Sequence, residues 1–537
     1  MGLEDWLLSS AERGNPATRI DDAHRAGPAR GEQQAWSHGN QVRPLVHGHA
    51  YFSELTAAIE RAERDDLVLF TDWRGDPDEK LTDSDGDTTS QVLCRAAARG
   101  VIVRGLVWRS HLDRFQFSAT ENRHLGEEID RAGGCCLLDM RVRTGGSHHQ
   151  KFVVIRYSTR PELDVAFVGG IDLCHSRRDT AEHAGDRQAQ PMAAVYGARP
   201  PWHDVQLAIQ GPAVADVETV FRERWDDPQP LSRNPIHRLA DVVRSDDRRR
   251  PLPAPGQPPQ PVGPHSVQLL RTYPHRAGGY PFAPNGERSI ARGYVKALRR
   301  ARELIYLEDQ YLWSRDVAVR IADAMRDNPG LKLIAVLPMY PDQDGRLSMP
   351  PNLVGRAAAL RLIRSVAPSR VGVYGIENEA GVPIYVHAKV CVIDDVWATT
   401  GSDNFNRRSW THDSELTVAV WDETRSGRPA RSSRALDEPR AYPLALRAAL
   451  AREHLGPDGD SVDLADPEAT FAAFADAAAR LEEWSKGDRR SPRPSGQLRP
   501  LPEPKVSRLT RAWASPIYRA VYDPDGRALR ERWRGHY

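Results

Sequence analysis

The chain has 537 residues, with 74 Lys+Arg against 73 Asp+Glu and a formal net charge of +1. Bulk charge therefore cannot hold it to nucleic acid or anionic lipid, although a local basic site stays open. Hydrophobic residues at 40% and charged residues at 27% support a core over most of the chain, and the length allows about two to four domains. The five cysteines (Cys94, Cys135, Cys136, Cys174 and Cys391) are odd in number and lack C-x-x-C spacing. A disulfide framework or zinc knuckle is therefore not expected. The opening residues show no basic region followed by an apolar run, so no secretory signal is expected. Apolar runs such as residues 333–337 fall far short of the ~20 residues that cross a bilayer. The expectation is a soluble, cytoplasmic chain without a transmembrane segment.

In chain order, residues 1–40 are polar and read as a loose arm. Residues 51–62 carry apolar side chains at three- and four-residue spacing, which predicts an amphipathic helix. A short buried strand follows at 67–70, a helix at 90–98 ended by Gly100, and strands at 101–103 and 106–108. This alternation predicts an α/β layer with a largely parallel sheet. A first lobe is expected over 41–226 and a Pro-rich linker over 227–264. A second lobe is expected over 265–425, with helices near 287–302, 318–326 and 353–365. Its strands are expected at 304–307, 331–337, 371–374 and 385–393. Beyond it, 426–537 reads as a C-terminal segment with helices at 442–454 and 469–484 and a Pro- and Arg-rich linker at 486–505. Its tail carries Trp513, Tyr518, Tyr522 and Trp533, which are expected to pack back onto the body.

The lobes look like copies: Ile59 lies 90 residues before His149, and Leu298 lies 89 residues before His387. A repeat of this size predicts two similar α/β lobes with a site between them. Each lobe contains one His-x-Lys, His149-Gln150-Lys151 and His387-Ala388-Lys389, where chance would place about 0.2 such pairs in a chain with 18 His and 7 Lys. Both open a β-rich apolar run, and on a strand residues two apart share a face. Two facing imidazoles can divide nucleophile and acid duties. Two lysines in an arginine-biased chain bring compact positive charge suited to a phosphodiester.

Further segments join these motifs. In the first half they are Ser147-His148-His149-Gln150-Lys151, Phe167-Val168-Gly169-Gly170-Ile171-Asp172-Leu173, Arg178-Asp179-Thr180 and Pro201-Trp202-His203-Asp204-Val205. In the second they are Ile305-Tyr306-Leu307-Glu308-Asp309-Gln310-Tyr311, Val386-His387-Ala388-Lys389 through Asp394, and Gly401-Ser402-Asp403-Asn404 with Arg408-Ser409. Over about residues 45–420 the chain resembles the phospholipase D superfamily, and the plant-type phospholipases more than their nuclease relatives. The resemblance implies the phospholipase D fold, with mixed and parallel sheets flanked by helices and the active site at the lobe interface. It implies a two-step, metal-free displacement, with no cofactor and no metal ligand expected. His149 would form a phosphohistidine, while His387 would protonate the leaving alcohol and then activate water. Lys151 and Lys389 would hold the phosphate with Asn404, Ser402 and Gly170. Glu415 would orient His149 and Asp204 would orient His387, each from the opposite half. The calcium-binding lipid module of plant enzymes is not expected.

The implied reaction cleaves glycerophospholipids to phosphatidic acid and a free head-group alcohol, with transphosphatidylation alongside. Its substrate lies at a membrane surface, met transiently and peripherally. A superfamily nuclease or other phosphodiesterase, and a weakened phosphate- or lipid-binding relative, are the alternatives. Near-zero net charge speaks against nucleic acid. Oligomeric state is not legible. The family's Asp after His-x-Lys is Asp394 in the second copy, where the resemblance counts it among the catalytic residues, but Arg156 in the first. Strand parity points both off the catalytic face and predicts a structural role. His47-Gly48-His49 reads as loop polar residues, Asp83–Asp87 as a solvated acidic turn rather than a calcium loop, and Arg248-Arg249-Arg250 as a solvated charge run.

Overall fold

The structure is a computed structural model. It describes residues 2–20, 34–110, 119–235, 237–239, 249–345, 349–428, 437–487, 491–535 and 537.

In the first half, the strands are β1 (Ser37–Val46), β2 (Leu67–Asp72), β3 (Ile102–Trp108), β4 (Cys135–Asp139), β5 (Phe152–Arg156), β6 (Val165–Gly169), β7 (Trp202–His203) and β8 (Val205–Gln210). In the second half they are β9 (His265–Tyr273), β10 (Glu287–Arg288), β11 (Leu304–Glu308), β12 (Lys332–Val336), β13 (Val371–Ile376), β14 (Tyr385–Val386), β15 (Val390–Ile393), β16 (Trp397–Gly401) and β17 (Glu415–Asp422), followed by β18 (Leu498–Pro500).

The first half runs β1-β8-β6-β5-β2-β3-β4 across its sheet, and the second runs β9-β17-β16-β15-β11-β12-β13. The order is the same in each, with β2-β3-β4 and β11-β12-β13 parallel and the other neighbours antiparallel. The two sheets then fuse edge to edge: β1 pairs antiparallel with β9 through Ser37↔Val267 and Asn40↔His265. The duplication expected from the sequence is thus one continuous sheet with two matching arms.

Central strands are buried along their whole length, as β2 and β11 show, because helices cover both faces. On one face, the helices Gly48–Glu60, Thr89–Ala98 and Ala119–Arg131 cover the first arm. Ser289–Leu298, Arg315–Asp327 and Met349–Val366 cover the second. On the other face lie Ala213–Trp225, Ala441–Leu455 and Pro467–Lys486, whose apolar residues join one core spanning both arms. The α/β class and the two similar lobes are as the sequence predicts.

Three readings of the ends change. The described part of the N-terminal arm is docked, not loose: Leu3, Trp6, Leu7 and Leu8 are buried in the second lobe's core. There the Gln268 side chain pairs with the backbone like a strand neighbour, accepting from Leu8 N at 2.9 Å and donating to Leu8 O at 2.7 Å. The predicted linker at 486–505 contributes β18, which adds antiparallel to the β13 edge with proline at its end, where an edge tolerates it. In the tail, Tyr518 packs inward, but Trp533 is 91% exposed and Trp513 stands half-exposed. Arg249 and Arg250 are not free charges, since they donate to the Gln229 and Gly133 carbonyls; Arg248 lies outside the described residues.

Candidate active site

Both His-x-Lys runs lie just before a strand, β5 or β15, in extended lead-ins. Each lead-in pairs in parallel with the segment ahead of the other half's carboxylate. In one seam β14 pairs with β7, with Val386 opposite His203, and His387 N donates to His203 O at 2.8 Å. In the other, His148 bridges Ser414 and His149 N donates to Ser414 O at 2.9 Å. The next residue on each side is then a histidine beside a carboxylate, so backbone register alone sets two dyads across the seam.

His149 Nδ1 stands 2.8 Å from Glu415 Oε2, and His387 Nδ1 stands 2.7 Å from Asp204 Oδ2. All four are buried or nearly so; His149 keeps 16% of its side chain exposed and His387 6%. With Nδ1–H donating to the carboxylate, each ring's Nε2 is left with its lone pair. Trp202 lies against His387 at 5.0 Å between ring centroids, with the Arg177 guanidinium 3.9 Å above the Trp202 ring. Trp73 meets His149 edge-on at 6.4 Å.

The lysines mirror each other. Lys151 Nζ donates to the His149 carbonyl at 2.9 Å, and Lys389 Nζ donates to the His387 carbonyl. Lys151 also has Asp172 at 3.6 Å, whereas Lys389 faces the Gln310 amide oxygen at 3.4 Å. Burial, then the lysine charges, hold both imidazoles well below their usual range. His149 feels Lys151 and Lys389, and His387 feels Lys389, Arg177, Lys151 and His149, so the two motifs share one field. Burial pushes the Glu415 carboxyl up to about 8, and burial with Lys151 nearby brings Lys389 down to about 8. Two ammonium groups set beside two imidazoles in one buried site suit an anionic ligand.

Of the other expected site residues, Ser402 and Gly170 back the two dyad carboxylates, whereas Asp394 lies apart. Ser402 does not face outward for a ligand: its Oγ donates to Glu415 Oε2 at 2.6 Å and accepts from Leu416 N at 3.0 Å. Gly170 leaves space: a Cβ there would meet Asp204 Oδ1 at 2.2 Å. Asn404 is buried, and among the described residues none donates to its Oδ1. Asp394 is remote from the dyads, at the far end of β15. Its carboxylate accepts from the backbone N–H of Arg302, Glu303 and Leu304 at 2.7–2.9 Å. The structure thus gives this expected catalytic residue a structural engagement, with the backbone that leads into β11.

Its first-half counterpart, Arg156, makes ion pairs with Asp164 at 2.7 Å and Glu218 at 2.5 Å. There the equivalent seam is closed in reverse: Asp66, just before β2, accepts from Ser158 N at 2.7 Å. The substitution therefore leaves the first motif intact.

Arg177 and Trp73 belong to no motif in the sequence, and Gln310 stands within the β11 segment without an assigned role. Only their nearness to a motif or a strand end could have marked them. The sequence marks His47 as a loop polar residue with no carboxylate ligand set nearby. It is buried, with Glu453 Oε1 3.1 Å from its Nε2. The acidic turn is as expected: Asp83 and Asp85 are exposed and pair with Arg178 and Lys80.

Residues 66–318 match the family model described as Phospholipase D, and residues 294–431 match that described as Cardiolipin synthase, PLD-like domain. Similar curated proteins include phospholipase D alpha 1 of Cynara cardunculus, 26% identical, with 70% of this chain and 59% of that protein covered. Phospholipase D alpha 4 of Arabidopsis thaliana is 24% identical, with 69% and 60% covered. The chain thus spans about three-fifths of these relatives. Among solved structures, phosphatidylserine synthase of Haemophilus influenzae overlaps 76% of this chain and 87% of its own, at 12% identity and a TM-score of 0.48. Two copies of one unit, each setting its His-x-Lys against the other's carboxylate, fall within those matched stretches, and the chain belongs to the phospholipase D superfamily.

Proposed function

We propose that the chain is a phosphodiesterase of phospholipase D type, cleaving glycerophospholipids to phosphatidic acid and a free head-group alcohol. The observation that carries this reading is the pair of crossed dyads, His149–Glu415 and His387–Asp204, in the common field of Lys151 and Lys389.

In the first step His149 Nε2 attacks phosphorus. The P–O bond to the head group breaks, and the departing oxygen takes a proton from His387 Nε2. Substrate charge near His387 raises the basicity that the lysines hold down, so the ring is protonated when the phosphodiester is bound. In the second step His387 removes a proton from water, whose oxygen displaces the phosphoryl group from His149. An alcohol in place of water gives transphosphatidylation. Glu415 and Asp204 hold the tautomers, and the lysines stabilise the charge that spreads over the phosphoryl oxygens.

A lipid substrate is supported by the C-terminal helix Arg508–Ile517 and the turn after it. Leu509, Trp513, Ile517 and Val521 recur every fourth residue and are 79%, 37%, 40% and 58% exposed. Arg508, Arg511 and Arg519 flank them. An apolar stripe edged with arginine suits the headgroup–acyl boundary of a bilayer. The stripe also lies near the dyads: Arg408 donates both to Val521 O at 2.8 Å and to Asp413 Oδ2 at 2.6 Å, and Asp413 accepts from Ser147 N.

The test is head-group release from phosphatidylcholine and phosphatidylethanolamine vesicles, with His149→Ala and His387→Ala as controls. Release that both variants abolish, with the phosphoryl group trapped on His149, supports the reading. Release surviving in both variants overturns it, and cleavage of oligonucleotides but not vesicles moves the substrate to nucleic acid.

A further inference from the structure

We propose that His47, His183, His203 and Glu453 form a closed, four-ligand site for a divalent transition metal of the zinc class, behind the His387–Asp204 dyad. The residues come from four places: the turn entering helix Gly48–Glu60, the loop after β6, strand β7, and helix Ala441–Leu455. Their ligand atoms all lie within 4.8 Å of one another.

The spacing fits the chemistry. Glu453 Oε1 is 3.1 Å from His47 Nε2, 3.2 Å from His183 Nε2 and 3.3 Å from His203 Nδ1. Zinc bonds of about 2.0–2.1 Å in a tetrahedron place neighbouring donors about 3.3 Å apart. The three rings meet edge-on or tilted rather than stacked, with centroids 4.7, 5.2 and 5.8 Å apart, as rings do when their nitrogens converge on one point.

Hydrogen bonding alone does not account for the cluster. Among the described residues, His47 Nε2 and His203 Nδ1 are buried with no aligned hydrogen-bond partner, although Glu453 is so near. Such orphaned nitrogens are costly unless something else takes their lone pairs. Ligand support is in place for two of the three rings. The other nitrogen of His203 stands 2.7 Å from Glu308 Oε2, and Glu308 is held in turn by His454 at 2.8 Å and the Tyr306 hydroxyl at 2.6 Å. The other nitrogen of His183 stands 3.2 Å from the Trp202 carbonyl. Metal-binding imidazoles are oriented in this way, by a carboxylate or a backbone carbonyl on the far nitrogen. Three imidazoles and one carboxylate favour zinc, cobalt or nickel over calcium or magnesium, which take oxygen sets.

The site would act on the dyad through the backbone. His47 N donates to the Asp204 carbonyl at 2.8 Å, and the His203 carbonyl accepts from both His387 N and Ala388 N. A metal here would clamp the strands that carry Asp204 and His387. Through Glu453 it would also tie the C-terminal helices to both lobes. All four residues are therefore positioning residues, and no displacement step passes through the metal.

The experiment is metal analysis of the untagged full-length chain by plasma mass spectrometry after expression with zinc. It is paired with cobalt(II) exchange and with thermal unfolding before and after chelation. About one zinc per chain is expected, with tetrahedral cobalt absorption in the visible and a Tm that falls on chelation and returns with zinc. His183→Ala and Glu453→Gln should each lower bound metal at least several-fold. If either variant fails to fold, the metal content and cobalt spectrum of the native chain decide alone. A native chain that holds no stoichiometric transition metal, gains none from zinc and keeps its Tm under chelation overturns the proposal. So does undiminished metal in both folded variants. None of these readouts depends on the substrate.

Discussion

His387 and Asp204 stand 2.7 Å apart across a seam although 183 residues separate them in the chain. The same is true of His149 and Glu415, 266 residues apart and 2.8 Å in space. A buried carboxylate on the far nitrogen fixes each ring's tautomer and compensates the positive charge that the ring gains in turnover.

Removing the charge but not the shape should therefore cost rate rather than fold. Glu415→Gln and Asp204→Asn should each lower kcat by about 10²–10⁴-fold, the range seen when a triad carboxylate becomes an amide. Tm should change little. Steady-state release from vesicles beside a thermal melt checks this, and a kcat within about threefold of the native chain would remove the orienting role.

The pH profile should be narrow and alkaline. Below about 8 the Glu415–His149 dyad keeps an extra proton, because burial raises the carboxyl, and His149 cannot attack. Activity therefore climbs as pH rises toward that value. Lys389, held down to about 8, loses its charge above the same value, so activity then falls. The kcat/KM profile, which reports the free enzyme, should peak near 8. Lys389→Arg should flatten the alkaline limb while lowering the maximum, since guanidinium stays charged but does not replace a compact ammonium.

Gly170→Ala should disable one dyad selectively. The new Cβ would meet Asp204 Oδ1 at 2.2 Å and push the carboxylate off His387. The second half tolerates Ser402 in the matching place, where the longer Glu415 takes a hydrogen bond from it. A loss of about 10²-fold or more in kcat is expected, with phosphoryl-enzyme accumulating when His387 can no longer activate water efficiently. Rapid-quench trapping reads this directly.

Restoring the family aspartate should harm the protein. Arg156→Asp would place a third carboxylate beside Asp164 and Glu218, both buried, at a cost of about 3–5 kcal/mol. Asp394→Ala should cost about 3 kcal/mol or more, leaving three backbone donors without an acceptor. In both cases activity per folded molecule should be nearly unchanged, as urea titration and assay of the folded fraction would show.

The tail stripe should matter only for bilayers. Trp513→Glu with Val521→Glu should lower turnover on vesicles by about 10-fold or more, since burying one such side chain is worth about 1.5–3 kcal/mol. Turnover of a monomeric short-chain phospholipid should not change. Equal loss on both substrates would assign the stripe to folding.

The parts of this arrangement that were legible in the sequence are those carried by local pattern. The helices 51–62 and 90–98, the central strands and the two His-x-Lys runs all show within a few residues of chain. Parity predicted a structural role for Arg156 and Asp394, and their side chains are engaged by Asp164 and Glu218 and by three backbone N–H groups. Longer-range features needed the fold. The Gln268 dock for the N-terminal arm depends on a side chain some 260 residues away, and Leu3, Trp6 and Leu7, though spaced i, i+3, i+4, span too few residues to mark a buried segment by themselves. His47 could not be paired with Glu453 by spacing, since β1 and a C-terminal helix bring them together only after both lobes have formed. β18 hid in a run rich in proline and arginine because an edge strand needs little β propensity when the neighbouring sheet supplies the template.

The parallel pairing of each histidine lead-in with the opposite half has an evolutionary reading. A single copy of this unit would hold one imidazole and one carboxylate whose partners both lie in the other copy. As a lone monomer it would be inert, and self-association along the β1–β9 edge would create two complete dyads at once. Holding both copies in one chain makes that encounter independent of concentration. It also lets the halves differ, as Asp204 and Glu415, Gly170 and Ser402, and Arg156 and Asp394 do.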